Sequence, residues 1–291
     1  MNPQPLAYLD TEFLDSDEAR PIRILAEYLE PLRRFREQNI RDTVVFFGSA
    51  RIHSQEHAVL ALERLEQRLR TNRDNGRNGD LEASVAKGRK AVEWSRYYEE
   101  ARALARLLTE WTRSVDDEHH RFVVTSGGGP GIMEAANRGA HEAGGKTIGL
   151  NIRLPFEQGA NRYITDGLHF EFHYFFMRKF WFAYMAKALV IFPGGFGTLD
   201  EMFEFLTLAQ TDKLDKKIQL ILYGTDYWDP ILNMDPMAEW GAISPGDSDL
   251  VKRANTPESA FELLKAHLIE HHLTPTAPHE LKAPAIAKTR S

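Results

Sequence analysis

The residues with the clearest chemical potential read PGGFGTLDE over positions 193–201, directly after the apolar run Ala188 to Phe192. Glycines carry no Cβ atom, so a backbone rich in them can approach a ligand closely. The amides that open the next helix favour an anion. Thr198 adds a hydroxyl at the predicted helix start. The pattern indicates a phosphate site, with a tight turn required for steric reasons as the alternative.

A second glycine-rich loop, SGGGPG over 126–131, also follows an apolar run. Both loops are predicted at carboxyl ends of strands, where open α/β sheets bind ligands. Neither loop continues into Gly-Lys-Ser/Thr, and neither reads GxGxxG with an acid at the next strand end. The sequence therefore favours a mononucleotide or a sugar phosphate over a dinucleotide.

Two acids, Asp200 and Glu201, are predicted in the first turn of the helix opened by Thr198. Both acids can complement the helix dipole, and Glu201 has the spacing of a capping box with Thr198. An acid within one turn of a phosphate loop can also reach a sugar attached to that phosphate. The sequence leaves the structural and the catalytic role of Glu201 open.

The segment YFFMRKFWFAY over 174–184 is apolar on nearly every side, which predicts a helix buried by the core and by a partner subunit. Its charges are Arg178 and Lys179, and a charge in such surroundings needs a partner. Arg178 either forms a structural ion pair or grips phosphate or ribose and balances Glu201.

A metal site is weakly indicated on the predicted strand 168–173, where His169, Glu171 and His173 share one face. Phe170 and Phe172 fill the other face, and no further ligand cluster is evident in the sequence. We therefore expect hydrogen-bonded or exposed histidines here and no metal.

The order of predicted elements gives an α/β fold, a Rossmann-like doubly wound parallel sheet with helices on both faces. An N-terminal helical extension covers 1–40, with Pro31 expected to kink or divide its helix. The nucleotide-binding domain covers 41–270, with a helical insertion at about 51–120 whose stretch 71–80 reads as a mobile loop. Residues 271–291 are expected to be a disordered tail.

Composition narrows the class of protein. The 291 residues carry a net charge of −6, which argues against a nucleic-acid surface, and no cysteine, which excludes thiolate metal sites and cysteine nucleophiles. No signal peptide and no membrane-length apolar run are visible. We expect a cytoplasmic protein.

These motifs together resemble the LONELY GUY (LOG) family of nucleoside 5′-monophosphate phosphoribohydrolases, once labelled possible lysine decarboxylases. PGGFGTLDE matches the family signature PGGxGTxxE, and SGGGPGIME resembles its GGGxxGLMG loop with Glu134 in place of the last glycine. FFGSA resembles its first strand, and FFMRK its MHxRK segment with Phe175 and Phe176 in place of Met and His.

The resemblance implies hydrolysis of the N-glycosidic bond of a nucleoside 5′-monophosphate, AMP or a cytokinin-type nucleotide, without metal or redox cofactor. It implies a homo-oligomer, a dimer or a multiple of it, with the active site near the subunit interface. Arg178 and Glu201 match the catalytic pair. The phosphate-binding positions are Gly194, Gly195, Gly197 and Thr198. The other nucleotide-binding positions are Gly48, Ser49, Ser126, Gly127, Gly128, Gly129 and Lys179.

Other classes of function remain open at this point. A nucleotide carrier or sensor needs the glycine loops but not the pair Arg178 and Glu201, and a phosphate-recognising interaction module would use the polar insertion as its partner surface. A pyridoxal decarboxylase needs a Schiff-base lysine, and nothing marks Lys179 or Lys187 as that residue.

Overall fold

The computed structural model describes residues 5–71, 79–115, 119–153, 159–211, 213–214 and 216–273. Within these residues seven parallel strands form one sheet in the order β4-β3-β2-β1-β5-β6-β7. The strands are β1 (Thr43–Phe47), β2 (Val123–Ser126), β3 (Thr147–Ile152), β4 (His169–Phe172), β5 (Ala186–Ile191), β6 (Gln219–Tyr223) and β7 (Val251–Ala254). The predicted Rossmann-like fold is confirmed, and β7 was not predicted.

The helices alternate with these strands. They are α1 (Thr11–Asp15), α2 (Arg20–Glu37), α3 (Gln55–Thr71), α4 (Gly79–Trp94), α5 (Arg96–Thr112), α6 (Ile132–Glu142), α7 (Phe175–Met185), α8 (Phe196–Gln210), α9 (Thr225–Trp228), α10 (Asp235–Glu239) and α11 (Pro257–Leu268). The region between β1 and β2, predicted as a helical insertion, contains the three helices α3, α4 and α5. Most of the predicted loop 71–80 lies outside the described residues.

Side chains that alternate along each strand build a core on each face of the sheet. In β1, Val44 and Phe46 pack into the cluster that contains α5, α6 and α11. Val45 and Phe47 pack into the cluster that contains α7 and α8 and the inner face of α2. The helices therefore cover both faces, as a doubly wound sheet requires.

The expected break at Pro31 is wrong, because α2 runs through this residue without interruption. Proline has no N–H to donate to the carbonyl four residues earlier, which belongs to Glu27. The indole Nε1 of Trp181 on α7 donates to that carbonyl at 2.9 Å. A tertiary hydrogen bond thus satisfies the acceptor that the proline leaves open, and it fixes α2 against α7.

The C-terminal segment is ordered further than the sequence indicates. Ile269–Leu273 forms one turn of π-helix after α11, and the His272 carbonyl accepts a hydrogen bond from Arg121 at 2.9 Å. The predicted tail beyond residue 273 lies outside the described residues. No helix in the described part of the chain combines the length and the apolar character needed to cross a membrane.

Candidate functional site

The sheet has its topological switch point between β1 and β5, because the chain winds from β1 towards β4 and then returns to β5. Ligands of open α/β sheets bind at this point, beside the carboxyl ends of the strands. The loop 193–198 follows β5 and the Gly48-Ser49 pair follows β1. Both predicted loop elements therefore meet where the fold offers a binding crevice.

The loop 193–198 presents unoccupied backbone donors. Helix α8 begins at Phe196, and its N-cap Gly195 provides no side-chain cap. The first amides of a helix have no intrahelical acceptor and carry the positive end of its dipole. Residues 195–197 are exposed, and a Cβ atom added at Gly195 or Gly197 would meet no atom within 4 Å. This loop is open to a small anion.

Neighbouring elements hold the same loop in place. The amide of Ser49 donates to the carbonyl of Pro193 at 2.9 Å. The hydroxyl of Tyr227, at the start of the next crossover, donates to the carbonyl of Gly194 at 2.8 Å. Thr198 is buried, and its side chain lies so close to Gly194 that a Cβ atom there would collide with it. The loop is therefore positioned before any ligand binds.

The loop 126–131 is filled by the protein itself. Ser126 is fully buried; its hydroxyl donates to Asn137 at 2.7 Å and accepts from the Gly128 amide at 3.0 Å. The side chain of Asn161 donates to the carbonyls of Gly128 and Gly129 at 3.0 and 3.1 Å. The two predicted loops lie at the same edge of the sheet, but only the loop 193–198 is open.

Several predicted nucleotide-binding glycines have close protein neighbours. A Cβ atom on Gly48 would collide with Ile132, and one on Gly127 would lie 2.7 Å from the Arg178 guanidinium. A Cβ atom on Gly129 would lie 2.9 Å from Met133. These glycines admit close packing within the protein, and their contact with a nucleotide stays a prediction.

Glu201 is a buried acid with one unsatisfied oxygen. Its side chain is 6 % exposed, and its Oε2 atom accepts no hydrogen bond from any described residue. Burial raises the pKa of Glu201 from 4.5 to about 7, although the nearby charges of Arg178 and Lys179 act in the opposite direction. We expected Arg178 to keep this acid ionised, and the cost of burial outweighs that effect.

The structure also rules out the capping role of Glu201. Because α8 begins at Phe196, both Asp200 and Glu201 lie in the second turn, not in the first. The N-cap is Gly195, so Thr198 and Glu201 form no capping box. Asp200 instead faces solvent and forms an ion pair with Lys179 at 2.8 Å. Helix capping therefore leaves the burial of Glu201 unexplained.

Arg178 projects from α7 onto the edge formed by β2 and β3. Its Nε atom donates to the carbonyl of Leu150 at 2.8 Å, and its guanidinium lies 5.3 Å from the ring centre of Phe182. The side chain is half-buried beside Gly127. The adjacent Lys179 forms ion pairs with Asp200 and with Glu204 at 2.9 Å, so its predicted contact with the nucleotide stays untested.

Phe175, Phe176 and Glu134 replace residues of the LOG motifs, and the structure shows the surroundings of each. Phe175 and Phe176 open α7 and are 52 % and 50 % exposed, and Phe196 in the open loop is 92 % exposed. Glu134, at the family's glycine position, accepts a hydrogen bond from Tyr98 of α5 at 2.7 Å. The amino ends of α7 and of α8 therefore each expose aromatic side chains.

His169 and Glu171 of β4 are exposed, as is His173 directly after the strand. Among the described residues no group of three histidine, cysteine or acidic side chains is arranged to hold a metal ion.

Sequence reasoning overlooked Asn137, Asn161 and Tyr227, which hold the two loops. They lie outside the motifs, and no spacing pattern distinguishes them from other polar residues.

A family described as possible lysine decarboxylase matches residues 133–264. The rice cytokinin riboside 5′-monophosphate phosphoribohydrolase LOG is 32 % identical over 196 residues, which cover 65 % of this chain and 72 % of that protein. The rice protein LOGL2, a probable enzyme of the same name, is 29 % identical over 157 residues, 51 % of this chain and 61 % of its own length.

Among solved structures, the molybdenum cofactor binding protein of Rippkaea orientalis is 23 % identical, with 58 % of this chain and 86 % of that chain covered and a TM-score of 0.41. The rice LOG protein matches more closely and over most of its length. The family match covers the segment with Arg178 and the loop 193–198. The chain therefore belongs to the LOG family, whose relatives are named cytokinin riboside 5′-monophosphate phosphoribohydrolases.

Proposed function

We propose that this protein hydrolyses the N-glycosidic bond of a nucleoside 5′-monophosphate, AMP or a cytokinin-type nucleotide, to free base and ribose 5-phosphate. The observation that carries the proposal is the burial of Glu201 with one unsatisfied carboxylate oxygen. A buried carboxyl group with an unsatisfied oxygen, beside an open anion-binding loop, is costly for stability. Such groups are concentrated at functional sites, where reactivity requires them.

The first step of the proposed reaction is binding of the phosphate at the loop 193–198. The amides of residues 196–198 and the hydroxyl of Thr198 are the donors that this loop offers. Gly195 and Gly197 leave room for the phosphate oxygens. Because binding energy from the phosphate fixes the ribose, the reacting carbon C1′ is positioned without a separate entropic cost.

The second step is cleavage of the bond between C1′ and the base. Its transition state resembles an oxocarbenium ion, so a carboxylate near C1′ stabilises the positive charge that develops. The ionised Glu201 also accepts a proton from the water that attacks C1′. The bonding electrons leave with the base, and the proton that Glu201 took from water passes through solvent to the base, which restores the carboxylate. A pKa of about 7 suits this role, because Glu201 is both available as a base and able to hold the proton.

Arg178 has a positioning role in this reaction. Its guanidinium is held by the Leu150 carbonyl and acts to lower the pKa of Glu201. A fixed positive charge at this edge also attracts the anionic substrate. The half-exposed Phe175 and Phe176 support the further proposal that subunits associate at this edge in a homo-oligomer.

The test is an assay of base release from AMP, GMP, CMP and UMP, with adenosine as the substrate that lacks phosphate. We expect release from a purine monophosphate and at least about 100-fold less from adenosine, because the phosphate supplies the positioning energy. Glu201→Gln is expected to lower kcat about 100- to 10,000-fold. Asp200→Asn is the matched control, since this neighbouring acid faces solvent, and it should retain kcat within about threefold.

Binding of monophosphates without release of any base would contradict the proposed hydrolysis and favour the carrier. Equal rates for Glu201→Gln and the wild type would show that the site assignment is wrong. Light scattering across a dilution series tests the oligomer, which we expect to be a dimer or a multiple of it.

A further inference from the structure

Three asparagines lie around the loop 126–131, and Asn151 differs from the other two in its hydrogen bonding. Asn137 and Asn161 use their carboxamides to hold the loop. Asn151 is 7 % exposed, yet its Oδ1 atom accepts no hydrogen bond from any described residue. An unsatisfied buried acceptor lowers stability, because it has given up its hydrogen bonds to water. The loop therefore contains a polar group that its own architecture does not use.

Asn151 lies within β3 and pairs with Glu171 of β4, but β2 does not extend far enough to pair with it. The last pair between β2 and β3 joins Ser126 to Gly149, so Asn151 lies two residues beyond that pairing. Its carboxamide packs against Gly128, where a Cβ atom would collide with it. The carbonyl of the preceding Leu150 accepts the hydrogen bond from Arg178. Asn151 and the proposed positioning arginine thus share the carboxyl end of one strand.

The sheet order separates Asn151 from the phosphate loop. From β5 to β3 there are three strand spacings, because β1 and β2 lie between them. At about 4.8 Å for each spacing this is roughly 14 Å. If the phosphate lies at the start of α8 and the ribose lies at Glu201, the base extends towards β3. The contact partner of Asn151 is then the base and not the phosphate.

We propose that Asn151 reads the base, its Oδ1 atom accepting a hydrogen bond from the exocyclic amino group of a 6-aminopurine. This inference rests on the proposed nucleotide site. A carboxamide pairs well with the amino edge of adenine, which offers a donor beside a ring-nitrogen acceptor. On its N7 edge a 6-oxopurine offers two acceptors, O6 and N7, and no donor for Oδ1. This contact makes the protein prefer AMP, or a nucleotide substituted at N6, over 6-oxopurine nucleotides.

The test compares kcat/KM for AMP and for purine riboside 5′-monophosphate, which lacks the 6-amino group. In Asn151→Leu the preference for AMP should fall roughly 5- to 150-fold relative to the wild type, the value of one good base contact. Asn151→Asp keeps an acceptor and should retain more of the preference than Asn151→Leu does. Asn233→Ala, at an exposed asparagine after α9, should leave the ratio unchanged.

Inhibition by ribose 5-phosphate distinguishes base reading from a structural role. Asn151→Leu should leave this inhibition constant unchanged, because ribose 5-phosphate has no base. An equal loss for both nucleotides, or weaker inhibition by ribose 5-phosphate, would overturn the proposal. A change in the ratio of AMP to 2′-deoxy-AMP with no change for the 6-amino group would assign Asn151 to the ribose instead.

If the wild type releases no base from any nucleotide, the proposed hydrolysis fails but this inference can still be tested. Calorimetric dissociation constants for AMP and purine riboside 5′-monophosphate then replace kcat/KM in the same comparison. Thermal unfolding of each variant shows whether it is folded, and Asn151→Asp preserves the shape of the side chain if Asn151→Leu does not fold.

Discussion

The two glycine loops have similar sequences and opposite environments. In the loop 126–131 the positions Gly127–Gly129 are buried, and the space beside each glycine contains protein atoms. In the loop 193–198 the positions Gly195 and Gly197 are exposed, with no neighbouring atom within 4 Å of an added Cβ. Glycine serves internal packing in the first loop and leaves the backbone exposed in the second. A glycine-rich motif alone therefore does not show which loop binds the anion.

The largest expected difference between the loops concerns stability. Gly128 has φ +77°, and a Cβ atom there would collide with Asn151, so Gly128→Ala should lower the free energy of unfolding by about 3–5 kcal/mol. Gly197→Ala lies in open space within α8 and should leave the fold intact while raising KM for the nucleotide. Chemical denaturation and base-release kinetics measure the two effects. Equal destabilisation by both variants would remove the contrast.

The next effect concerns the acid that follows the open loop. The pKa of Glu201 is about 7 in the folded protein and 4.5 when exposed, so the folded state binds more protons between these pH values. Stability attributable to this group therefore falls as pH rises from 4.5 to 7, by about 3 kcal/mol in full. Glu201→Gln should be more stable than the wild type above pH 7 and nearly equal to it below pH 4.5.

The same ionisation should appear in the kinetics. We expect kcat/KM to rise with pH and to level off above about pH 7, because the ionised Glu201 is the active form. Denaturation curves and rate profiles measured from pH 4 to pH 9 check both statements. A stability difference that does not change with pH would contradict the burial of an ionisable Glu201.

A smaller effect separates the two hydroxyls. Thr198→Val removes a donor from the open loop and should raise KM about tenfold, the value of one hydrogen bond to a charged group. Ser126→Ala leaves the Gly128 amide without its partner and removes one of two donors to the Asn137 Oδ1 atom, so it should cost about 1–3 kcal/mol of stability with KM unchanged. If Thr198→Val lowered stability and Ser126→Ala raised KM, the roles assigned to the two loops would be reversed.

The smallest effect concerns the support of the open loop. Tyr227→Phe removes the hydrogen bond to the Gly194 carbonyl and nothing else from the side chain. Because the loop is then held less firmly, nucleotide binding should weaken by about 1 kcal/mol, which corresponds to a several-fold rise in KM. Tyr163→Phe, on the loop that packs beside α6, is the matched control and should leave KM unchanged.

Much of the fold was predictable because its signals are local. Apolar runs that end in glycine predicted β1, β2, β5 and β6, and helical spacing predicted α5, α6 and α8. The errors arose where distant contacts decide. Pro31 stays within a continuous helix because Trp181 satisfies the carbonyl of Glu27. Strand β5 begins at Ala186, before the apolar run 188–192, since α7 ends at Met185 and pairing with β1 begins at Ala186.

The candidate site was predictable in its residue types and not in its geometry. The spacing of PGGFGTLDE placed an acid near a phosphate loop, but it could not separate Asp200 from Glu201. Their burial separates them, since Asp200 faces solvent and Glu201 faces the core. Asn151 could not be predicted from the sequence for the same reason. No local pattern shows that the Oδ1 atom of an asparagine in a strand will find no hydrogen-bond donor.

The sequence by itself determined the α/β class, the two glycine loops and the membership of Arg178 and Glu201 in one motif set. These features depend on residue type and short spacing, which fix local backbone preferences and hydrophobic periodicity. Only the tertiary structure decided which loop is open, which acid is buried and how Arg178 is held. Those outcomes depend on what the sheet order brings together, because burial and desolvation are set by residues distant in sequence.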